Sequence, residues 1–409
     1  MKAFAAIADD LTGACDVAAE LALSGRRVRV AVDAEGVTPA AGDGGIVVVN
    51  TQSRALAASI AYARVLDVLR ARPARVVLKK IDTALRGHLG AELDAAVDTL
   101  AAPAFILAAI PAAGRVTRNG CQWFGDRLLG ETEFARDPEG PGAVSSIPEV
   151  IGRESRRGVA VIARDVVRDG ALADVVERHA GVGIDLFVVD AESDADVAAA
   201  VAAIVGLARP VCLVGSIALT AALAPHLDER LAPRPASEPG VPLPALIVSG
   251  SLHSRARAQI AAAVATGRAV ELPLPRPDAG EAVVAAMVRT VRERLAGGIS
   301  VVLAPAAPRS VPDAGALRAT ERLLARAVAM IAAHGAIPTV ILIGGETSHA
   351  VLTALRAGTI EVGGRIAPLI ARGTIGHGMA AGSTVVTKGG SGGEPDVIAN
   401  LVAVAGGRG

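Results

Sequence analysis

Aromatic side chains are nearly missing from this 409-residue sequence: one Trp, one Tyr and five Phe make up 2% of it. Base-stacking and sugar-stacking platforms are built from such rings, so the shortage argues against a nucleic-acid reader and leaves any adenine to aliphatic neighbours. Excess charge is missing as well. The 41 basic residues balance 41 acidic ones, which removes the electrostatic footprint of a nucleic-acid partner. No apolar run approaches the ~18 to 20 residues of a membrane span. The opening Met1 to Ala8 meets Asp9 and Asp10 too soon to be a signal peptide. Cys15, Cys121 and Cys212 are odd in number and share no metal spacing, so a reduced, cytoplasmic protein is expected. The seven histidines are scattered without an H-E-x-x-H pair, and no protein-held metal cage is expected.

What the chain does have is length and a hydrophobic fraction of 52%, enough for two domains with sizeable cores. Its most informative stretch is Pro338 to Leu355. Thr339 to Ile343 reads as a strand buried on both faces. Gly344 and Gly345 then permit a tight turn, and Thr347 or Ser348 can cap a helix with apolar positions Val351, Leu352 and Leu355. Unpaired N–H groups at such a helix start, backed by the helix dipole, form a phosphate site. A ligand-free βα turn would carry the same letters, so a second cluster matters. Thr384 to Gly393 is another short strand running into glycines, with Lys388 at its edge. Only Lys2, Lys79, Lys80 and Lys388 are lysines among 41 basic residues, and a compact charge beside a glycine loop suits a polyphosphate. Neither a Walker A pattern nor the protein-kinase signature set occurs.

The first half repeats the strand-turn-helix theme with charged turns. Ala3 to Ala8 ends on Asp9-Asp10, two carboxylates at the carboxyl end of a strand, where open α/β sheets place their ligands. One suits a general base or a Mg²⁺ ligand, and Asp10 also suits a helix cap. Val28 to Val32 and Ile46 to Val49 read as strands, the latter leaving through Asn50-Thr51-Gln52-Ser53-Arg54. Arg75 to Ile81 leads into Asp82 and Arg86, and alternation puts Lys79 and Ile81 on one face, Lys80 and Asp82 on the other. Lys80, Arg86 and Arg54 can converge on a carboxylate or phosphate, with Asp82 positioning a hydroxyl; a solvated edge with surface ion pairs would read alike. Val116 to Pro138 is a hairpin-like excursion, with turns at Asn119-Gly120 and Gly125-Asp126, that reads equally as a lid or a plain surface hairpin. Ala232 to Pro244 holds five prolines in thirteen residues and reads as a linker. The expected fold is two α/β domains with largely parallel sheets, 1–231 and 245–409, joined by 232–244.

Ile7-Ala-Asp-Asp-Leu-Thr-Gly-Ala14, Lys79-Lys-Ile-Asp82 with Leu85-Arg-Gly87, Pro111-Ala-Ala-Gly-Arg115, Thr132-Glu-Phe-Ala-Arg-Asp-Pro138, Val248-Ser-Gly-Ser251, Gly344-Gly-Glu-Thr-Ser348 and Thr387-Lys-Gly-Gly390 follow one another along the chain. Together they resemble the four-carbon acid sugar kinases, which include D-threonate, D-erythronate and 3-oxotetronate kinases. The resemblance runs from the first strand almost to the C-terminus. It implies an N-terminal domain that binds the sugar acid and a C-terminal domain that binds ATP. ATP contacts are implied at Ser251, Gly344, Gly345, Glu346, Thr347 and Gly389, beside Lys388. Substrate contacts are implied around Asp9, Asp10, Arg54 and Arg86, with Ser53, Lys80, Asp82, Gly87 and Arg115 in the same stretches. Three positions depart from the family pattern: Asn50 where many members have Asp, Leu252-His253 where Cys-Ser is common, and His88 where Asn is frequent.

The expected reaction is ATP-dependent phosphorylation of a terminal hydroxyl on a four-carbon sugar acid, in a cleft that closes about the linker. Arginine forks at 54 and 86 would clamp the carboxylate, Asp10 or Asp82 would deprotonate the hydroxyl, and Mg²⁺ would ride on the nucleotide. The expected partners are the sugar acid and ATP, with no nucleic acid and no membrane; a homo-oligomer stays open. An NAD(P)-dependent dehydrogenase is the alternative enzyme, opposed by the missing G-x-G-x-x-G unit. A non-catalytic sugar-acid binder is the alternative of another class.

Overall fold

A computed structural model describes residues 4–34, 45–137, 140–227, 240–306 and 313–403. The chain divides into two compact units, Met1–Arg26 with Asp33–Pro233, and Arg27–Val32 with Arg234–Gly409. Residues 232–239 of the expected linker, and Pro138 in the excursion, lie outside the described residues.

To residue 227 the chain forms β1 (Phe4–Ala8), α1 (Leu11–Leu23), β2 (Val28–Ala31), β3 (Ile46–Asn50), α2 (Ala58–Ala71), β4 (Val76–Lys80), α3 (Leu89–Leu100) and β5 (Ala104–Leu107). The excursion follows as β6 (Arg115–Arg118), β7 (Cys121–Phe124) and β8 (Arg127–Leu128), a separate antiparallel sheet. Then come α4 (Ile147–Gly152), β9 (Gly158–Ile162), α5 (Arg164–Arg168), α6 (Leu172–Ala180), β10 (Ile184–Val189), α7 (Asp194–Val205), β11 (Val211–Gly215) and α8 (Ile217–Leu223).

The first unit is a parallel sheet in the order β3-β1-β4-β11-β5-β10-β9. Parallel neighbours need crossover helices, and those helices cover both faces. Strand residues Ile7, Val77, Ile106 and Val188 accordingly pack with Val65 and Leu69 of α2 and Leu93 and Val97 of α3. From β1 the chain goes to β3 on one side and then to β4 on the other, so strand order reverses between β1 and β4. That switch is where an open sheet leaves a crevice at its carboxyl ends. Register fixes what lines it: Ala8 pairs with Asn50 and with Lys80, so Asp9, Thr51 and Ile81 leave the sheet at one level.

The second unit contains β12 (Ala245–Ser249), α9 (Ser254–Ala265), β13 (Ala269–Pro273), α10 (Glu281–Ala296), β14 (Ser300–Ala304), α11 (Ala314–Ala332), β15 (Thr339–Ile343) and α12 (Gly345–Ala354). It ends with β16 (Thr359–Ala367), β17 (Ile370–Ile375), β18 (Thr384–Lys388) and α13 (Val397–Ala403). Strands β13-β14-β12-β15-β18 are parallel, and β17 and β16 continue antiparallel. Here the domain limits read from sequence differ from the structure. β2, placed by its position in the first domain, pairs antiparallel with β16, Val30 opposite Ile360, and belongs to the second unit. The physical reason is that alternation marks a strand without naming its partner; Arg29 meets Glu361 across that pair at 3.4 Å. No helix among the described residues is long and apolar enough to cross a membrane.

Candidate functional site

The switch point of the first unit gathers charge. Asp10, two residues past β1, is the N-cap of α1, its Oδ1 accepting from Gly13 N at 3.0 Å. The loop after β3 folds back over it, Ser53 N donating to the Asp9 carbonyl at 3.0 Å. This brings in Arg54, which donates through Nε and Nη2 to Asp9 (2.7 and 3.1 Å) and through Nη2 to Asp10 (2.8 Å). Its side chain is only 9% exposed, so the fork expected to face a substrate carboxylate is spent on the twin acids. Burial works against the Asp9 charge, but Arg54, Lys79 and Lys80 outweigh it and hold the carboxyl below its ordinary value.

After β4 the chain turns tightly, with Leu85 and Gly87 at φ of 59° and 88°. Gly87 is needed there twice over: its φ is left-handed, and a Cβ would stand 3.3 Å from Asp9 Oδ2 and 3.4 Å from Arg54 Cγ. Asp82 accepts from Arg86 Nε at 2.5 Å, and Arg86 also reaches Asp137 of the excursion at 3.3 Å. Burial opposes the Asp82 charge, yet Arg86, Arg54 and Lys80 push its carboxyl far below the usual range. A carboxylate held that low is a poor proton acceptor, which weakens the expectation of Asp82 as base. Arg86 stays 30% exposed. Arg115 is half-buried, donates to Thr83 Oγ1 at 2.5 Å and lies 4.7 Å over the Phe124 ring and 5.9 Å from that of Phe134. It ion-pairs with no carboxylate among the described residues, and burial, aided by Arg86 and opposed by Asp82, holds its pKa below the ordinary arginine value.

Beneath this layer lies a buried ion pair that pattern reading missed. Lys79 Nζ sits 2.9 Å from Glu92 Oε2 of α3, with both side chains essentially inaccessible, and Ser53 Oγ donates to the other oxygen of Glu92. The signal was present: Glu92 shares the apolar stripe of Leu89, Leu93 and Ala96. Lys80, on the opposite face as alternation predicted, packs against Gly13 of α1. Asn50 and His88 serve the scaffold. Asn50 bonds twice with Gln52, and His88 bridges Glu154 and the Leu56 carbonyl.

In the second unit the site is backbone. Ser249, Ile343 and Lys388 are level across β12, β15 and β18, so Gly250, Gly344 and Gly389 follow at one height. β12 and β15 flank the point where strand order reverses. A Cβ on Gly250 would stand 2.2 Å from Thr347 Oγ1, and one on Gly390 would stand 2.2 Å from Ser251 Oγ, so glycine alone lets these turns meet. The expected Thr347 or Ser348 cap is absent. α12 starts at Gly345 behind Gly344 (φ 107°) with no side-chain cap, and Ser348 instead bonds back to the Gly344 carbonyl at 2.6 Å. The helix thus begins without a side-chain cap. Ser249 Oγ and Thr387 Oγ1 are buried without a partner among the described residues. Lys388, fully buried, donates to the Gly389 carbonyl at 2.7 Å, and burial aided by Arg255 lowers its pKa to about 8. Gln259 of α9 was not foreseen; its amide donates to the carbonyls of Gly392, Gly393 and Glu394 at 2.8–3.1 Å and pins the glycine loop. His253 caps α9, its Nδ1 accepting from Arg255 N at 3.1 Å.

The two halves match two family models: a sugar-binding N-terminal domain over residues 4–223 and a nucleotide-binding C-terminal domain over 246–398. Over 97% of its length the chain is 33% identical to a D-threonate kinase of Salmonella typhimurium, covering 96% of that protein. The chain belongs to the four-carbon acid sugar kinases. A 3-oxo-tetronate kinase of Burkholderia multivorans is 32% identical over 88% of each chain. The crystal structure of a Haemophilus influenzae protein shares the fold of this kinase, with a TM-score of 0.71 at 20% identity over 98% of this chain and 99% of the other. The charged crevice of this sugar-acid kinase thus lies in its sugar-binding domain, and the level glycine turns lie in its nucleotide-binding domain.

Proposed function

We propose that the protein transfers the γ-phosphoryl group of ATP to a hydroxyl of a free four-carbon sugar acid. The carrying observation is Arg115: a half-buried guanidinium with no carboxylate partner among the described residues, beside the partly open Arg86. A buried cation of this kind is costly without an anion. A small carboxylate supplies one, and the planar forks of the two arginines suit it. In this reading Arg86 and Arg115 seat the substrate, Arg54 fixes Asp9 and Asp10, and Gly87 lets the turn close on them.

In the second unit, the uncapped start of α12, Gly250, Ser251, Gly344, Gly345, Thr347 and Gly389 fit a nucleotide's phosphates, and the Ser249 and Thr387 hydroxyls, unmatched among the described residues, and buried Lys388 add donors. Glu346, in the first turn of α12, belongs to the same bend. In this reading Mg²⁺ rides on the phosphate oxygens of the nucleotide. Relatives at 33% and 32% identity carry different substrate names, so identity does not select the acid. The test is ADP release with Mg-ATP and D- or L-threonate, D- or L-erythronate, or a 3-oxotetronate. At least one acid should be turned over. Arg115→Met should raise its KM about 10- to 100-fold, the cost of a lost charged hydrogen bond, with the ATP KM unchanged. No ADP release with any of them rejects the reading.

A further inference from the structure

We propose that Asp16, with Thr12 beside it, receives the acceptor hydroxyl and takes its proton; this rests on reading the first unit as the sugar-acid site. Polar groups on a buried helix require partners. Asp16 is 7% exposed and Thr12 is 6% exposed, yet Asp16 Oδ1 and Thr12 Oγ1 have no hydrogen-bond partner among the described residues. Four residues apart on α1, they share one stripe, and helical side chains lean toward the N-terminus, here the Asp9-Asp10 turn. Lys80 runs along the same side. A Cβ on Gly13, one turn before Asp16, would stand 3.3 Å from Lys80 Cγ and 3.4 Å from its Nζ. Lys80 Nζ donates to the Ile81 carbonyl at 2.8 Å, and it forms no ion pair with Asp16. A donor and an acceptor therefore face one side of α1 without satisfying each other, and a hydroxyl can serve both.

The neighbouring acids are committed elsewhere, Asp9 and Asp10 to Arg54 and Asp82 to Arg86. Burial raises the Asp16 carboxyl to about 7, opposed by Lys80 and reinforced by Asp10 and Glu20, which suits a base working near neutrality. As the hydroxyl oxygen bonds to the γ-phosphorus, the bond from phosphorus to the ADP oxygen breaks, and the hydroxyl proton passes to Asp16 and later to water.

The experiment is steady-state turnover of the full chain with Mg-ATP and whichever four-carbon acid the wild type consumes. Asp16→Asn should lower kcat on the order of 10²- to 10⁴-fold with the ATP KM held within about twofold, and the wild-type kcat should climb with pH to about 7 and then level. A variant kcat within about threefold of wild type, or a defect confined to the acceptor KM, overturns the proposal. Should Asp16→Asn fail to fold, the wild-type profile decides, a flat kcat from about pH 5.5 to about 8 overturning it. A wild type that consumes no ATP with any four-carbon acid removes the substrate reading itself, and the role of Asp16 with it. An active wild type with an equally active variant removes only the role of Asp16.

Discussion

Under the proposed function the two units solve the same problem, holding an anion at the carboxyl ends of a parallel sheet, with opposite materials. The first unit uses long charged side chains that neutralise one another: Arg54 with Asp9 and Asp10, Arg86 with Asp82, Lys79 with Glu92. The second uses almost no side chains, only glycine turns levelled across β12, β15 and β18 and one buried lysine. The difference teaches that the first site fails when a charge is taken away, and the second when a carbon is added.

The largest effect should come from the buried pair. Lys79→Met removes the cation that offsets the burial of Glu92 and should destabilise the chain by about 3–5 kcal/mol in denaturant unfolding, while Lys79→Met with Glu92→Leu should recover most of that loss. If the single variant costs no more than the double, the pair is not what binds β4 to α3. Next is Gly250→Ala. Its methyl group would collide with Thr347 and should cost about 1–3 kcal/mol of the stabilisation that Mg-ATP gives in thermal unfolding, leaving the response to sugar acid intact. An equal loss of both responses would erase the contrast between the units.

The smallest effect is a fraction of a proton. With its pKa near 8, Lys388 is about half charged at pH 8, and a triphosphate favours its charged form, so binding should take up roughly half a proton there. Calorimetry in two buffers of different ionisation heat reads this, and Lys388→Met should abolish it. The sign for stability follows: the unfolded lysine keeps until about 10.5 a proton that the folded chain releases near 8. The unfolded state then binds more protons across that window, and the chain gains stability with rising pH between those values.

Much of this was legible in the letters. Asp9-Asp10, Asp82 and Arg86, and the Gly344 and Gly389 turns were each placed at strand ends, because hydrophobic runs and turn residues are local signals. The Asn119-Gly120 turn likewise announced the β6–β7 hairpin, both residues taking positive φ. What could not be read was which charge meets which. Arg54 looked open until its acids were seen around it, Glu92 looked like one more polar residue on a helix, and Gln259 carried no signal because its role depends on a loop 133 residues away. β2 was recognised as a strand, but its partner β16, more than 300 positions on, could not be read from the letters.

The order of residues by itself determined the strand, turn and helix units, the glycines that permit positive φ or close approach, and the supply of charge at each strand end. These follow from backbone sterics and the period of apolar residues, which act within a few positions. Only the tertiary structure decided which strands lie side by side, and so which ends stand level, which charges cancel, and which polar atoms, Asp16 Oδ1 among them, remain unmatched among the described residues. The reason is that ion pairing and desolvation depend on distance in space, and the fold sets that distance.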